Sequence, residues 1–175
     1  TDVGPVIDAD ALKILQDHAE RMDREARLIA AAELSAEAAH GTFFAPRAYE
    51  LKNLGQLQKE IFGPVLHVIR WKGEQLDAVI EQINATGYGL TLGVHSRIDE
   101  TVDRITNGIQ VGNVYVNRNQ IGAVVGVQPF GGQGLSGTGP KAGGPHYLLR
   151  FATEKTVTVN TTAAGGNASL LTLGD

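Results

Sequence analysis

At 175 residues and 42% hydrophobic composition, the chain has the length and apolar content for one domain with its own core. Charged residues make up 19% and the net charge is −4, which gives no electrostatic basis for binding nucleic acid. It holds no cysteine, so it supplies no disulfide, no thiolate metal site and no cysteine nucleophile, and it lacks the long apolar run that a membrane span needs.

The first segment, TDVGPVIDAD, has neither the basic start nor the apolar run of a signal peptide. It also lacks an initiator Met, so the chain reads as a piece of a longer protein, with the cytoplasm as the default compartment. Asp8 or Asp10 is placed to cap a helix. Leu12, Leu15, Ala19, Met22, Ala26 and Ile29 recur at helical steps of three and four. Periodicity alone allows that helix to reach Leu34, yet the apolar run from Ala26 to Leu34 equally fits a strand. Thr42 to Leu51 reads as extended and is interrupted by Pro46. Val65 to Trp71 alternates, with Val65, His67, Ile69 and Trp71 on one face. Glu74 to Ala85 is an amphipathic helix stopped by Gly87 and Gly89. Leu90 to Ser96 is a short buried strand, Asp99 to Thr106 a short helix, and Ile109 to Val116 another strand. Glu154 to Thr161 alternates Thr and Val as a final strand. The tail from Thr162 is small and polar, with an apolar knot at Leu170, Leu171 and Leu173. The central order strand–helix–strand–helix–strand predicts a layered α/β domain with parallel pairings.

Four motifs carry candidate chemistry. In Lys59-Glu60-Ile61-Phe62-Gly63-Pro64-Val65, a carboxylate able to accept both hydroxyls of a ribose and an aromatic ring stand at a loop mouth. The plain alternative is a turn with a solvated Glu and a Phe in the core. Gln128-Pro129-Phe130-Gly131-Gly132 reads as a tight turn with Phe as a plug. Gly132-Gln133-Gly134-Leu135-Ser136-Gly137 matches G-x-G-x-x-G, which admits a small nucleotide-binding domain. Its context argues against that, because Pro129 precedes it, Gly139-Pro140 interrupts any helix after it, and the next carboxylate is Glu154. In the segment from Gly139 to Leu148, the N–H groups of Gly143 and Gly144 can form an anion nest, with Pro145 starting a helical turn. A simple loop-to-helix junction is the alternative. The five histidines show no metal spacing.

Each motif is weak alone, but their order is specific. D-V-G-P-V-I, E-I-F-G-P-V, G-N-V-Y-V-N, Q-P-F-G-G and T-E-K-T-V together resemble the aldehyde dehydrogenase superfamily over nearly the whole chain. The sequence S-G-T-G-P-K-A-G-G-P-H-Y-L-L-R-F resembles the branch that oxidises L-glutamate γ-semialdehyde, the open form of 1-pyrroline-5-carboxylate. The small-residue tail is similar to the end of the bifunctional proline utilization A family.

The resemblance implies an NAD-dependent dehydrogenase of proline catabolism, with FAD in a separate proline dehydrogenase domain of the parent. It implies residues 1–152 as the part of the catalytic domain after the nucleophile, and residues 153–175 as an oligomerisation strand and tail. It favours a break near Arg24–Glu25 with a strand after it. Glu60 would hold the nicotinamide-side ribose of NAD and Phe62 would pack near the nicotinamide. Gly143 and Gly144 would offer N–H groups to the substrate carboxylate, and Phe151 would pack on its aliphatic chain. The loop from Asn117 to Gln128, with Pro129 and Phe130, would line the approach. In the implied chemistry a thiolate attacks the aldehyde, N–H donors hold the oxyanion, hydride passes to NAD and a general base activates water. The thiol is absent here, so the isolated chain is expected to be inactive. A non-catalytic module that self-associates through its terminal strand is the competing class.

Overall fold

The computed structural model describes residues 3–160 and 163. The first helix, α1 (Ala9–Glu25), starts where the Asp8 carboxylate accepts a hydrogen bond from the Ala11 N–H at 2.7 Å. Asp8 is therefore the cap, and Asp10 lies in the first turn, where a negative charge suits the helix dipole. Asp8→Ala is expected to lower stability by about 1 kcal/mol, read as a shift of the urea midpoint at unchanged slope.

The helix stops at Glu25, and β1 (Arg27–Ala31) follows directly. The ambiguous apolar run is thus a strand, because pairing with β2 (Arg47–Leu51) outcompetes another helical turn. β2 lies between β1 and β3 (Val65–Ile69), antiparallel to the first and parallel to the second. The inward face of β3 is the one the alternation predicts. Val65 and Ile69 pack toward α1 and β2, while Leu66 points away and is exposed. Trp71, predicted to share the inward face, falls beyond the strand and is 45% exposed.

α1 covers this sheet with two adjoining clusters. Leu15 and Ala19 meet Phe44, while Met22 meets Tyr49 and Leu51. Tyr49 is fully buried, and its hydroxyl donates to the Asp23 carboxylate at 2.7 Å, so its polar end is satisfied.

The second half contains α2 (Leu76–Ala85), β4 (Tyr88–Gly89), β5 (Thr91–Val94), α3 (Asp99–Gly108), β6 (Asn113–Val116) and β7 (Gln133–Gly134). β5 runs parallel to β6, and Leu76, Ile80 and Ile109 form the core beside them. Gly87, at φ +76°, turns the chain out of α2. β4 and β7 form a short antiparallel pair that ties the glycine-rich segment to the end of α2.

The structure bears out the layered α/β class and the parallel pairings of β2 with β3 and β5 with β6. The final strand is not formed within the single chain. Residues 152–160 form no strand and are exposed throughout, with Val157 and Val159 both 70% exposed. Alternating Thr and Val confer a preference, but a ladder needs a second strand, and no described strand lies alongside. Thr161 and the apolar knot Leu170, Leu171 and Leu173 lie outside the described residues. Among the described residues no helix is long and apolar enough to cross a membrane.

Candidate active-site surfaces

Glu60 and Phe62 sit on the connection into β3, a segment without regular structure. Glu60 borders a groove of about 700 Å³ between the two halves of the molecule. Leu54, Leu57, Ile83, Tyr88, Leu90 and Leu135 supply its apolar walls, and Ser136 joins Glu60 among its polar groups. Phe62 is 86% exposed, which overturns the reading of this ring as a core residue. Of the two, Glu60 lines the groove and Phe62 does not.

The second surface is the turn at Gly143 and Gly144. Gly143 has φ +71°, and a Cβ there would lie 3.2 Å from the Val125 Cα. Its carbonyl accepts from the Gly126 N–H at 2.9 Å, while its own N–H donates to no acceptor among the described residues. Gly144 differs, because its N–H donates to the Lys141 carbonyl at 3.0 Å. The two glycines are therefore not equivalent: one amide is free and the other is committed to closing the turn.

The turn is held against the Pro129–Phe130 wall by a reciprocal pair of bonds, Phe130 N–H to Ala142 at 3.0 Å and Ala142 N–H to Phe130 at 2.8 Å. Phe151 lies on a single 3₁₀ turn (Leu148–Phe151), is 73% exposed and meets the Tyr147 ring in an edge-on contact, with ring centroids 5.5 Å apart. The approach loop is apolar and uncovered, with Ile121, Val125 and Val127 each more than 70% exposed. Asn117, at φ 53°, anchors its start by two bonds to the Ser96 backbone.

The groove beside Glu60 is lined by Leu135 and Ser136 but by neither Gly143 nor Gly144. The glycine-rich segment thus contributes to both surfaces without merging them. The glycines of the G-x-G-x-x-G match serve packing. A Cβ on Gly134 would lie 2.4 Å from the Gly87 carbonyl oxygen, and one on Gly137 would lie 2.5 Å from that of Gly132. Residues 135–147 form no α-helix, so the strand–turn–helix context of a dinucleotide fingerprint is missing.

Residue-by-residue reading missed the pairing of His18 with His67. Their Nε2 atoms are 2.8 Å apart, one ring edge-on to the other, joining α1 to β3. Burial, with the neighbouring His67 and Arg21 adding, pulls His18 down to about 4, and burial with Arg21 lowers His67 as well. Both rings are therefore neutral at pH 7, one donating and the other accepting. The signal was available: His18 follows Leu15 by three on the inward stripe of α1, and His67 stands between two inward residues of β3.

The chain matches the aldehyde dehydrogenase family over residues 1–157 and belongs to that family. Among its relatives is the bifunctional protein PutA of Escherichia coli (strain K12), 57% identical over 160 residues, which cover 89% of this chain and 12% of that protein. A crystal structure of a Bradyrhizobium japonicum Proline Utilization A (PutA) mutant superposes with a TM-score of 0.86 at 61% identity, covering 93% of this chain and 16% of that one. The 1-pyrroline-5-carboxylate dehydrogenase from Thermus, solved with bound NAD, superposes at 0.76 with 41% identity, over 86% of this chain and 29% of that one. The chain thus spans less than a third of each of these proteins, and they bear out the resemblance to the aldehyde dehydrogenase family, with PutA proteins and 1-pyrroline-5-carboxylate dehydrogenases as relatives.

Proposed function

We propose that this chain is the substrate-carboxylate end of an NAD-dependent dehydrogenase that oxidises L-glutamate γ-semialdehyde to L-glutamate in proline catabolism. The observation that carries the reading is the free Gly143 N–H, set in a left-handed glycine turn against Pro129 and Phe130. It stands in a chain similar to PutA proteins and 1-pyrroline-5-carboxylate dehydrogenases. A backbone amide on a residue with no side chain of its own suits a carboxylate. Gly143 is the primary donor, and Gly144 contributes once its bond to Lys141 is shared or released. Phe151 packs on the aliphatic chain of the substrate when a neighbouring segment turns it inward.

Glu60 and Phe62 hold the ribose and nicotinamide of NAD, whose chemistry is to accept the hydride of the aldehyde. In this reading residues 1–152 belong to the catalytic domain, and the thiolate comes from sequence outside the chain. A bifunctional parent with an FAD-dependent proline dehydrogenase domain, working in the cytoplasm, fits the similarity to PutA. The exposed Val157 and Val159 favour pairing of residues 153–160 with a second copy, and this supports a self-associating role that a lone catalytic segment would not need. Sedimentation at several concentrations tests it, since a monomer at every concentration counts against pairing.

The reading is tested in the longer protein that contains this chain. Glu60→Gln is expected to raise the KM for NAD about tenfold and leave the aldehyde KM unchanged, whereas Gly143→Ala does the reverse. The 175-residue chain by itself, having no cysteine, is expected to give no NADH with NAD and glutamate semialdehyde. Turnover by the purified chain, or tight NAD binding by it, would sink the assignment in favour of an independent nucleotide-binding unit.

A further inference from the structure

The glycine turn is held by more than its own backbone bonds. Lys141, two residues before Gly143, sends its side chain away from the turn to the start of β6. Its ammonium donates to the Gly112 carbonyl and lies 3.4 Å from the Asn113 Oδ1. Asn113 is itself the hub of the opposite wall. Its Nδ2 donates to the Pro129 carbonyl at 3.0 Å, and its Oδ1 accepts from the Gly131 N–H at 3.2 Å. The carbonyl of Lys141 is the acceptor for the Gly144 N–H. One residue thus connects the free-amide turn, the Pro129–Phe130 wall and the parallel β5–β6 pair.

We infer that Lys141 is a positioning residue for the carboxylate of the substrate. It acts through Gly143 by fixing the turn on β6, and this rests on the reading of Gly143 as the carboxylate donor. A single anchored amide discriminates between ligands only if its direction is fixed. The backbone bonds to Phe130 set the separation of the two segments but leave a hinge along that pair. The ammonium, charge-assisted and bonded to a different element, removes that freedom. The turn's selectivity for an aldehyde that carries a carboxylate then depends on Lys141, although its ammonium is aimed at β6.

The test uses the longer dehydrogenase that contains this chain and two aldehydes, glutamate semialdehyde and propanal, which lacks a carboxylate. Lys141→Met is expected to raise the semialdehyde KM about tenfold, the effect of one lost charge-assisted hydrogen bond. The kcat, the KM for NAD and the kinetics with propanal are expected to stay within about twofold. Asn113→Ala is read in parallel, so that the outcome does not depend on one variant folding, and is expected to give the same selective rise.

A loss shared equally by both aldehydes, or carried in kcat, would mean a structural role and overturn the inference. If Gly143→Ala raises the semialdehyde KM while Lys141→Met and Asn113→Ala do not, the carboxylate reading stands and the positioning role fails. If none of the three moves that KM, both fail.

Discussion

Gly112→Ala is expected to destabilise the fold by about 3 kcal/mol or more, enough to unfold a marginal domain. The backbone torsion at Gly112 is ordinary, so the effect is steric. A Cβ there would lie 1.8 Å from the Gly131 carbonyl oxygen, 2.7 Å from its carbon and 2.8 Å from the Gly132 Cα. All three are backbone atoms, which cannot rotate aside as a side chain does. Relief requires the strand start and the glycine-rich segment to separate. That movement breaks the Gly112 N–H bond to Gly89 at 3.0 Å and displaces the acceptor of Lys141. Gly73→Ala is the matched control, because its Cβ would meet nothing within 4 Å. Chemical denaturation of the two variants measures the difference, and equal midpoints would mean that the two segments do not pack this closely.

The second large effect is a loss of stability in acid, carried by the histidine pair. The folded-state value of His18, about 4, lies below the ordinary histidine value of 6.5, so the unfolded chain binds the proton more readily. Stability from this group is therefore complete above pH 6.5 and is lost as the pH falls toward 4. The integrated loss is on the order of 3 kcal/mol for His18, with a further contribution of the same sign from His67. The charges around the pair oppose protonation, since Arg21 outweighs Glu25 and Lys59 adds a smaller push in the same direction as Arg21. His18→Gln keeps a hydrogen-bonding group but cannot titrate. It is expected to remove more than half of the slope of unfolding free energy against pH in that window. An unchanged slope would place the acid sensitivity elsewhere.

Local signals made most of the first half legible. The cap at Asp8, the stripe from Leu15 to Met22 and the alternation of β3 are short-range patterns, and each appears where the residues place it. The end of α1 was not readable from periodicity, because the run from Ala26 to Leu34 suits either structure and only pairing with β2 decides. The strand expected at Glu154 to Thr161 is not formed over residues 154–160 of the single chain, for the complementary reason. Its residues favour extension, but an isolated edge has no partner to complete its hydrogen bonds. Phe62 shows the same limit. Its motif admitted either a ring at a loop mouth or one in the core, because whether a ring is covered depends on which segments surround it.

The order of the motifs, read from the sequence alone, determined the family and pointed to Gly143, Gly144 and Glu60. These rest on identities and spacings that need no neighbours to be recognised. Only the tertiary structure decided that Gly144 spends its amide on Lys141 while Gly143 keeps its own. Only there do Lys141 and Asn113, 28 residues apart, share an anchor, and only there do His18 and His67, 49 residues apart, meet. Hydrogen bonding and burial are properties of pairs brought together by folding, and neither partner carries a mark of the other along the chain.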